Sequence, residues 1–407
     1  SVNCSQGSRT DLDVVITTEA DQIAVAPGVL IEQSIEGERA RFHYRSDLPV
    51  VPCWPIVSGR YTRSRGQWGD VELLVLHHPA HSDAVPEISR ALRDTLTLGS
   101  RVLGPYPHKT LTVVEFPRGF GGFGQAFPGI ILMSEARFLF SAAPGQLGTT
   151  YLMTAHEAAH QWWGHGVTAA DMPGSPLVTE SLAEYTATLV AAHSFGPATV
   201  EASFDRQQAS YFAERHGEPS LMTVDYSGSS RIYYTKGMLV LYALQDLMGL
   251  DAMERTLGEF YRKHSNGPPY ATAADLHAVL RHSLPDDVAY SLEDGLDRIT
   301  THANRVVSAT STRMTNGWTR VEITIAARKS WRGEDGVDTE QEMDDLIDIG
   351  LHLEDRSTVP LYLEKHRLQA GEQQVVAVSK SPPAWVSIDP RALLLDGDRK
   401  DNWLKLP

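Results

Sequence analysis

His156, Glu157 and His160 stand in the order H-E-x-x-H within TYLMTAHEAAHQWWGHGVTAADMPGSPLVTESLAEY, residues 150–185. On an α-helix, positions four apart lie one turn apart on the same face, so the two imidazoles can converge on one metal ion. The glutamate between them then sits beside that ion and is free to act as a base. Zinc in hydrolytic centres takes three protein ligands and a water, and a His/His/Glu centre draws its carboxylate from a second helix. Glu180 fits that role. Nineteen residues separate it from His160, enough to end one helix, turn at Met172-Pro173-Gly174-Ser175-Pro176 and start an antiparallel one. The expected centre is therefore one zinc ion per chain on His156, His160 and Glu180, with Glu157 as general base.

The elements around this motif follow from period and punctuation. Residues 12–76 alternate short β-branched runs with Gly, Pro and Asp turns, which reads as antiparallel β. Apolar residues recur at helical spacing from Ser82 to Leu103, Gly104-Pro105 stops that helix, and a strand follows over Leu111–Phe116. The Gly-rich stretch RGFGGFGQAFPG, residues 118–129, has no Lys-Ser/Thr after its glycines and so carries no phosphate-loop signal. Beside a zinc centre it reads as an edge strand whose Gly122 and Gly124 let a peptide substrate approach the backbone closely. Helical windows follow around Val200–His216, Ser229–Met248, Asp251–His264 and Thr272–His282. Alternation returns after Ser311, over Thr319–Ile325, Ile349–Leu353, Val375–Val378 and Ala384–Ile388, and suggests a β-sandwich. The acidic stretch Gly333–Asp345 reads as a solvated loop or edge, and His77, His78 and His81 as exposed loop residues rather than a second metal site. His165, five residues past His160, is turned well around the helix and reads as a helix-end or supporting residue.

Composition narrows the function classes. A formal net charge of −15 argues against nucleic acid or an anionic membrane surface as partner. No eighteen-residue apolar run occurs, and the most apolar helix, near Gly237–Leu247, is interrupted by Gln245 and Asp246. No signal-peptide apolar region follows Ser1, so the chain is read as a mature or excised segment of something longer. Cys4 and Cys53, the two cysteines, are compatible with one disulfide or with two separate thiols.

HEAAHQWWGH followed by ESLAEY resembles the gluzincin, aminopeptidase N-like zinc metallopeptidases, whose signature is HExxHxW and then a glutamate ligand in an E-x-x-A-E-Y run. The common spacing in that family is eighteen residues. The nineteen found here, with Trp162-Trp163 and His165, look most like the peptidase module fused to bacterial ABC-transporter permeases. The resemblance implies an α+β fold with a thermolysin-like domain over residues 77–310, preceded by a partial β domain over 1–76 and followed by a β-sandwich over 311–407. It implies peptide hydrolysis and an extracytoplasmic location, periplasmic or at the cell surface, with a cytoplasmic one left open. It also implies membership of a larger membrane-transporter chain. Glu184 matches the carboxylate that orients the imidazole of His156. Tyr234, in Tyr233-Tyr234-Thr235-Lys236-Gly237, matches the family tyrosine that donates to the oxyanion. Gly122-Phe123-Gly124-Gln125-Ala126 occupies the place of the family's G-x-M-E-N motif, whose glutamate holds the substrate's amino terminus. Gln125, or Ala126 after a one-residue slip, stands there instead, and the amine anchor loses its countercharge. Relaxed aminopeptidase action is expected. Endopeptidase action and a peptide-binding or regulatory transporter module are the alternatives.

Overall fold

The computed structural model describes residues 9–407 except 144, 216, 266, 357 and 358, so Cys4 and His216 lie outside the described residues. The chain divides into two compact units, the first comprising Ser1–Val200 and Asp251–Val279, the second Glu201–Leu250 and Leu280–Pro407. The mixed architecture is α+β, as the sequence suggests.

The first unit is built on a five-stranded sheet in the order Thr62–Trp68, Val71–His77, Thr110–Phe116, Ile130–Ser134, Gly124–Phe127. The strand Thr110–Phe116 pairs in parallel with both neighbours, and its five inner residues are all buried. Both of its faces are therefore covered, which is why Leu111, Val113 and Val114 stand close together instead of strictly alternating with exposed residues. Gly124–Phe127 forms the edge, joined to Ile130–Ser134 by a turn whose Gly129 has φ +71°. The expected boundary at residue 76 falls inside this sheet, because Val71–His77 pairs with Thr62–Trp68 on one side and with Thr110–Phe116 on the other. Those strands, Asp13–Glu19, Arg39–Arg45 and Val29–Glu36, form an antiparallel sheet of their own around Phe42.

Two helices set the depth at which the H-E-x-x-H residues sit. The helix Val85–Val102 buries Ile88, Ala91, Leu92 and Leu96, and its Gly99 lies so close to Trp162 that a Cβ there would stand 2.6 Å from the indole. Trp162 and Trp163 are fully buried and pinned at their ring nitrogens, Trp162 to the carbonyl of Gly104 and Trp163 to the Thr186 hydroxyl, each at 2.9 Å. The double tryptophan therefore bolts the end of the helix Thr149–Ala159 to its neighbours.

Expectation and structure part company at His77 and His81. His77 is 1 % exposed at the end of its strand and bonds Ser64 Oγ at 3.0 Å. His81 lies 2.6 Å from the buried Glu115 carboxylate. The segment Pro79–Ala84 folds over the strand end because that carboxylate needs donors there, and it takes a second from His78 N–H at 2.7 Å.

The second unit carries the helices Phe204–Glu214 and Gly237–Met248 and two antiparallel sheets packed around Val321, Ile323, Ile349, Leu351 and Val386. The acidic stretch is exposed over its strand Asp338–Gln341, but Asp345 is buried. Lys329 Nζ lies 2.8 Å from Asp294 and 3.0 Å from Asp345, one buried cation serving two carboxylates. Lys329→Met should destabilise this unit by about 3–5 kcal/mol, since it leaves two buried anions uncompensated. Urea unfolding followed by tryptophan fluorescence measures it, and a loss below about 1 kcal/mol would contradict the arrangement.

Candidate metal centre

The helix Thr149–Ala159 ends in His160, which keeps helical dihedrals of φ −61° and ψ −16°, so the i, i+4 geometry survives although the helix stops there. Glu180 arrives on a π-turn, Leu177–Ser181, that leads into the helix Leu182–Phe195. Such turns bulge one residue out of the α-helical register and recur at functional sites.

His156 Nε2 and His160 Nε2 stand 3.1 Å apart, and Glu180 Oε2 lies 3.5 Å from the first and 3.3 Å from the second. Ligands held at 2.0–2.2 Å in a tetrahedron around zinc stand about 3.3–3.5 Å apart, so this donor set has the spacing of three zinc ligands. The outer nitrogens explain why both Nε2 atoms point inward. His156 Nδ1 is 2.8 Å from Glu184 Oε2, and His160 Nδ1 is 2.8 Å from the carbonyl of Trp163. Each partner accepts an N–H, which fixes the tautomer and leaves the Nε2 lone pair free to ligate. Glu184 is the residue that the resemblance implies for this place. The Trp163 carbonyl was not legible in the sequence, because a backbone acceptor leaves no mark on residue type.

Glu157 is buried beside this group. Burial pushes its carboxyl above the usual carboxylate range, while His156, His160 and the Ala126 N–H work the other way. Glu180 is itself held well below that range: burial opposes its charge, and the two imidazoles outweigh it. Gly124 supplies the space. A Cβ there would stand 2.5 Å from Glu157 Oε1, so only glycine lets the edge strand pass over the carboxylate. The same observation sets the strand's faces: Gly124 and Ala126 face Glu157, and Gln125 faces the opposite way, half-buried, its amide 3.4 Å from the Ala126 carbonyl. Gly122 is exposed and its carbonyl accepts from Arg137 at 2.9 Å.

Gln161 is a contributor that the sequence does not single out. Its amide takes the Gly129 N–H at 2.9 Å and donates to the Phe127 carbonyl at 3.0 Å, which ties the edge hairpin to the end of the histidine helix. His165 lies past that helix, and burial pushes its imidazole down to about 3. Its carbonyl accepts from Arg9 at 2.7 Å. Tyr234 lies on another π-turn, Ile232–Lys236, in the second unit, with its ring 4.8 Å from that of Tyr233. A second His/Glu group, His81, Glu115 and Glu135, gathers within 4.8 Å, but Glu115 is already satisfied by two donors.

The geometry separates two kinds of variant. Glu184→Ala should weaken zinc affinity roughly ten- to hundredfold by releasing His156, whereas Gly124→Ala should leave affinity unchanged because it presses only on Glu157. Competition against a chromophoric chelator measures both, and equal losses in the two would contradict the assignment.

Among curated proteins no sequence matches this chain. Its fold is similar to that of an M1 zinc metallopeptidase from Deinococcus radiodurans, with TM-score 0.57 and 19% identity over 71% of this chain and 64% of that one. A two-domain M1 zinc metallopeptidase mutant bound to L-tryptophan is alike at TM-score 0.56 and 20% identity, covering 70% and 63% of the two chains. Legionella pneumophila aminopeptidase A in complex with aspartic acid matches at TM-score 0.61 and 15% identity, over 95% of this chain and 44% of that one. This chain thus spans under two thirds of the length of each, and at these identities the likeness is one of fold. Residues 97–293, which hold His156, His160, Glu180 and Tyr234, match the model of the Peptidase family M1 domain.

Proposed function

We propose that the chain is a zinc-dependent metallopeptidase, an aminopeptidase with relaxed recognition of the substrate's amino terminus. The observation that carries this reading is the convergence of His156 Nε2, His160 Nε2 and Glu180 Oε2 at 3.1–3.5 Å beside a buried Glu157, inside a Peptidase family M1 domain. Zinc held by these side chains supplies Lewis acidity, which polarises a carbonyl and makes water a stronger acid.

The protein's own groups do the rest. Glu157 takes a proton from water as that water's oxygen bonds to the scissile carbonyl carbon, and passes it to the leaving nitrogen as the C–N bond breaks. The strand Gly124–Phe127 has a neighbour on one side only, so its other side is where an extended peptide can be added. Tyr234 is assigned, on its Tyr-x-Lys-Gly setting, as donor to the oxyanion.

Relaxed specificity rests on the edge strand. Neither Gln125 nor Ala126 brings a carboxylate to it, so a substrate ammonium meets neutral acceptors only at these two positions. A charge-assisted hydrogen bond is roughly twice as strong as a neutral one, and that difference is forgone here. The same feature favours endopeptidase action as the second reading.

The location is proposed to be extracytoplasmic, within a larger transporter chain. Cys53 is disulfide-bonded, a state that persists in oxidising compartments, and among the described residues no helix is long and apolar enough to cross a membrane. The transporter link rests on the resemblance of the double-tryptophan motif.

Glu157→Gln should retain zinc and lose roughly a hundredfold or more in kcat, while Glu180→Ala should lose zinc itself. Elemental analysis with peptide turnover tests both, and full zinc in a folded Glu180→Ala protein would remove the ligand assignment. Tyr234→Phe should lower kcat by roughly a hundredfold with little change in KM, and an unchanged kcat would reassign the oxyanion donor. For one peptide with its amine free or acetylated, kcat/KM should differ by less than about tenfold, and a preference of roughly a hundredfold for the free amine would overturn relaxed recognition.

A further inference from the structure

The second unit contains a cavity of about 80 Å³ that the peptidase reading leaves unused. A single water needs roughly 10–15 Å³ on a comparable measure, so the cavity has room for a ligand of a handful of heavy atoms. Its lining is largely apolar and includes Val240 and Leu244 from the helix Gly237–Met248 and Leu395 from the C-terminal segment. Lys236, Thr300 and His302 also line it.

Among the described residues, buried polar atoms of all three lack a good hydrogen bond, and His302 has only a long contact to Asp345. Lys236 is 0 % exposed and Thr300 is 5 % exposed, and among the described residues neither Lys236 Nζ nor Thr300 Oγ1 has a hydrogen-bond partner. Both ring nitrogens of His302 are in the same condition, with Nε2 3.5 Å from Asp345, too far for a good bond. Buried polar atoms are nearly always bonded, and each one left over calls for an explanation. Three on the wall of one cavity call for a common one.

Charge fixes the chemical class of the occupant. Asp294 and Asp345 also line the cavity, but both already serve Lys329, and Asp294 also takes the Trp331 N–H at 2.8 Å. Glu218, whose charge also reaches Lys236, is engaged at both oxygens by the Tyr211 hydroxyl. Burial pushes the Lys236 ammonium down to about 8, so it still carries its charge at neutral pH. The lining thus offers one cation with no anion bonded to it, two further groups able to donate, and an apolar wall.

We propose that this cavity binds a small carboxylate with a short branched apolar tail, its oxygens accepting from Lys236, Thr300 and His302 and its tail lying on Val240, Leu244 and Leu395. Short branched fatty acids and free aliphatic amino acids share that chemistry. The inference does not depend on peptide hydrolysis.

The test uses the full chain, freed of zinc with a chelator so that binding at His156, His160 and Glu180 does not register. Isovalerate and L-leucine are titrated separately by calorimetry and ligand-observed NMR, with isopentylamine as the cationic counterpart. At least one carboxylate should bind saturably at one per chain, and the amine should not bind. Which of the two binds more tightly identifies the source of the carboxylate. Lys236→Met should weaken binding tenfold or more, and Thr300→Val, nearly isosteric, should weaken it severalfold and keep the test open if the lysine variant fails to fold. Ala243→Leu, which grows into the cavity from the same helix, should abolish binding. No saturable binding of either carboxylate would mean that water alone fills the cavity and would overturn the proposal. Binding unaffected by the Lys236 and Thr300 variants, or equal binding of the amine, would overturn it as well.

Discussion

Two imidazole lone pairs and a carboxylate oxygen are all electron-rich, and bringing them to 3.1–3.5 Å in a buried pocket is unfavourable unless a cation sits among them. The rest of the first unit can be understood as the scaffold that enforces this encounter. Glu184 and the Trp163 carbonyl engage the outer nitrogens and so deny the rings any other orientation. Trp162 and Trp163, fully buried and tethered at their ring nitrogens, hold the helix end that carries His160. Gly99 grants the indole of Trp162 its place, and Gly124 does the same for Glu157. Each supporting contact removes one way in which the three atoms could drift apart.

Much of this was legible because its geometry is local. Spacings of four residues placed His156 against His160, and Glu180 one turn before Glu184, since a helix converts sequence distance directly into direction. Apolar runs located the central strands for the same reason. The illegible parts are contacts between distant segments. His77 and His81 look like loop residues in the chain, yet the parallel pairing of Val71–His77 with Thr110–Phe116 brings them to the Glu115 carboxylate. Asp345 belongs to an acidic run and is buried all the same, because Lys329 from the neighbouring strand segment meets it. The π-turns at Leu177–Ser181 and Ile232–Lys236 had no signal in residue type, since an i→i+5 turn is defined by hydrogen-bond register.

The edge strand carries the question of specificity, and its pleat decides which residues can take part. Gly124 faces Glu157, so Ala126 shares that face and Gln125 does not. Ala126 brings no side-chain charge to that face and gives its N–H to the Glu157 carboxylate. On the outer face, Gln125 can accept from an ammonium or donate to a carbonyl with equal ease, because an amide has both functions. On the proposed reading, a strand built this way would hold a peptide by its backbone and treat a free terminus and a continuing chain alike. On that reading the metal centre and the base would set the reaction, and the lack of a carboxylate at Gln125 and Ala126 would set how far along a peptide it acts.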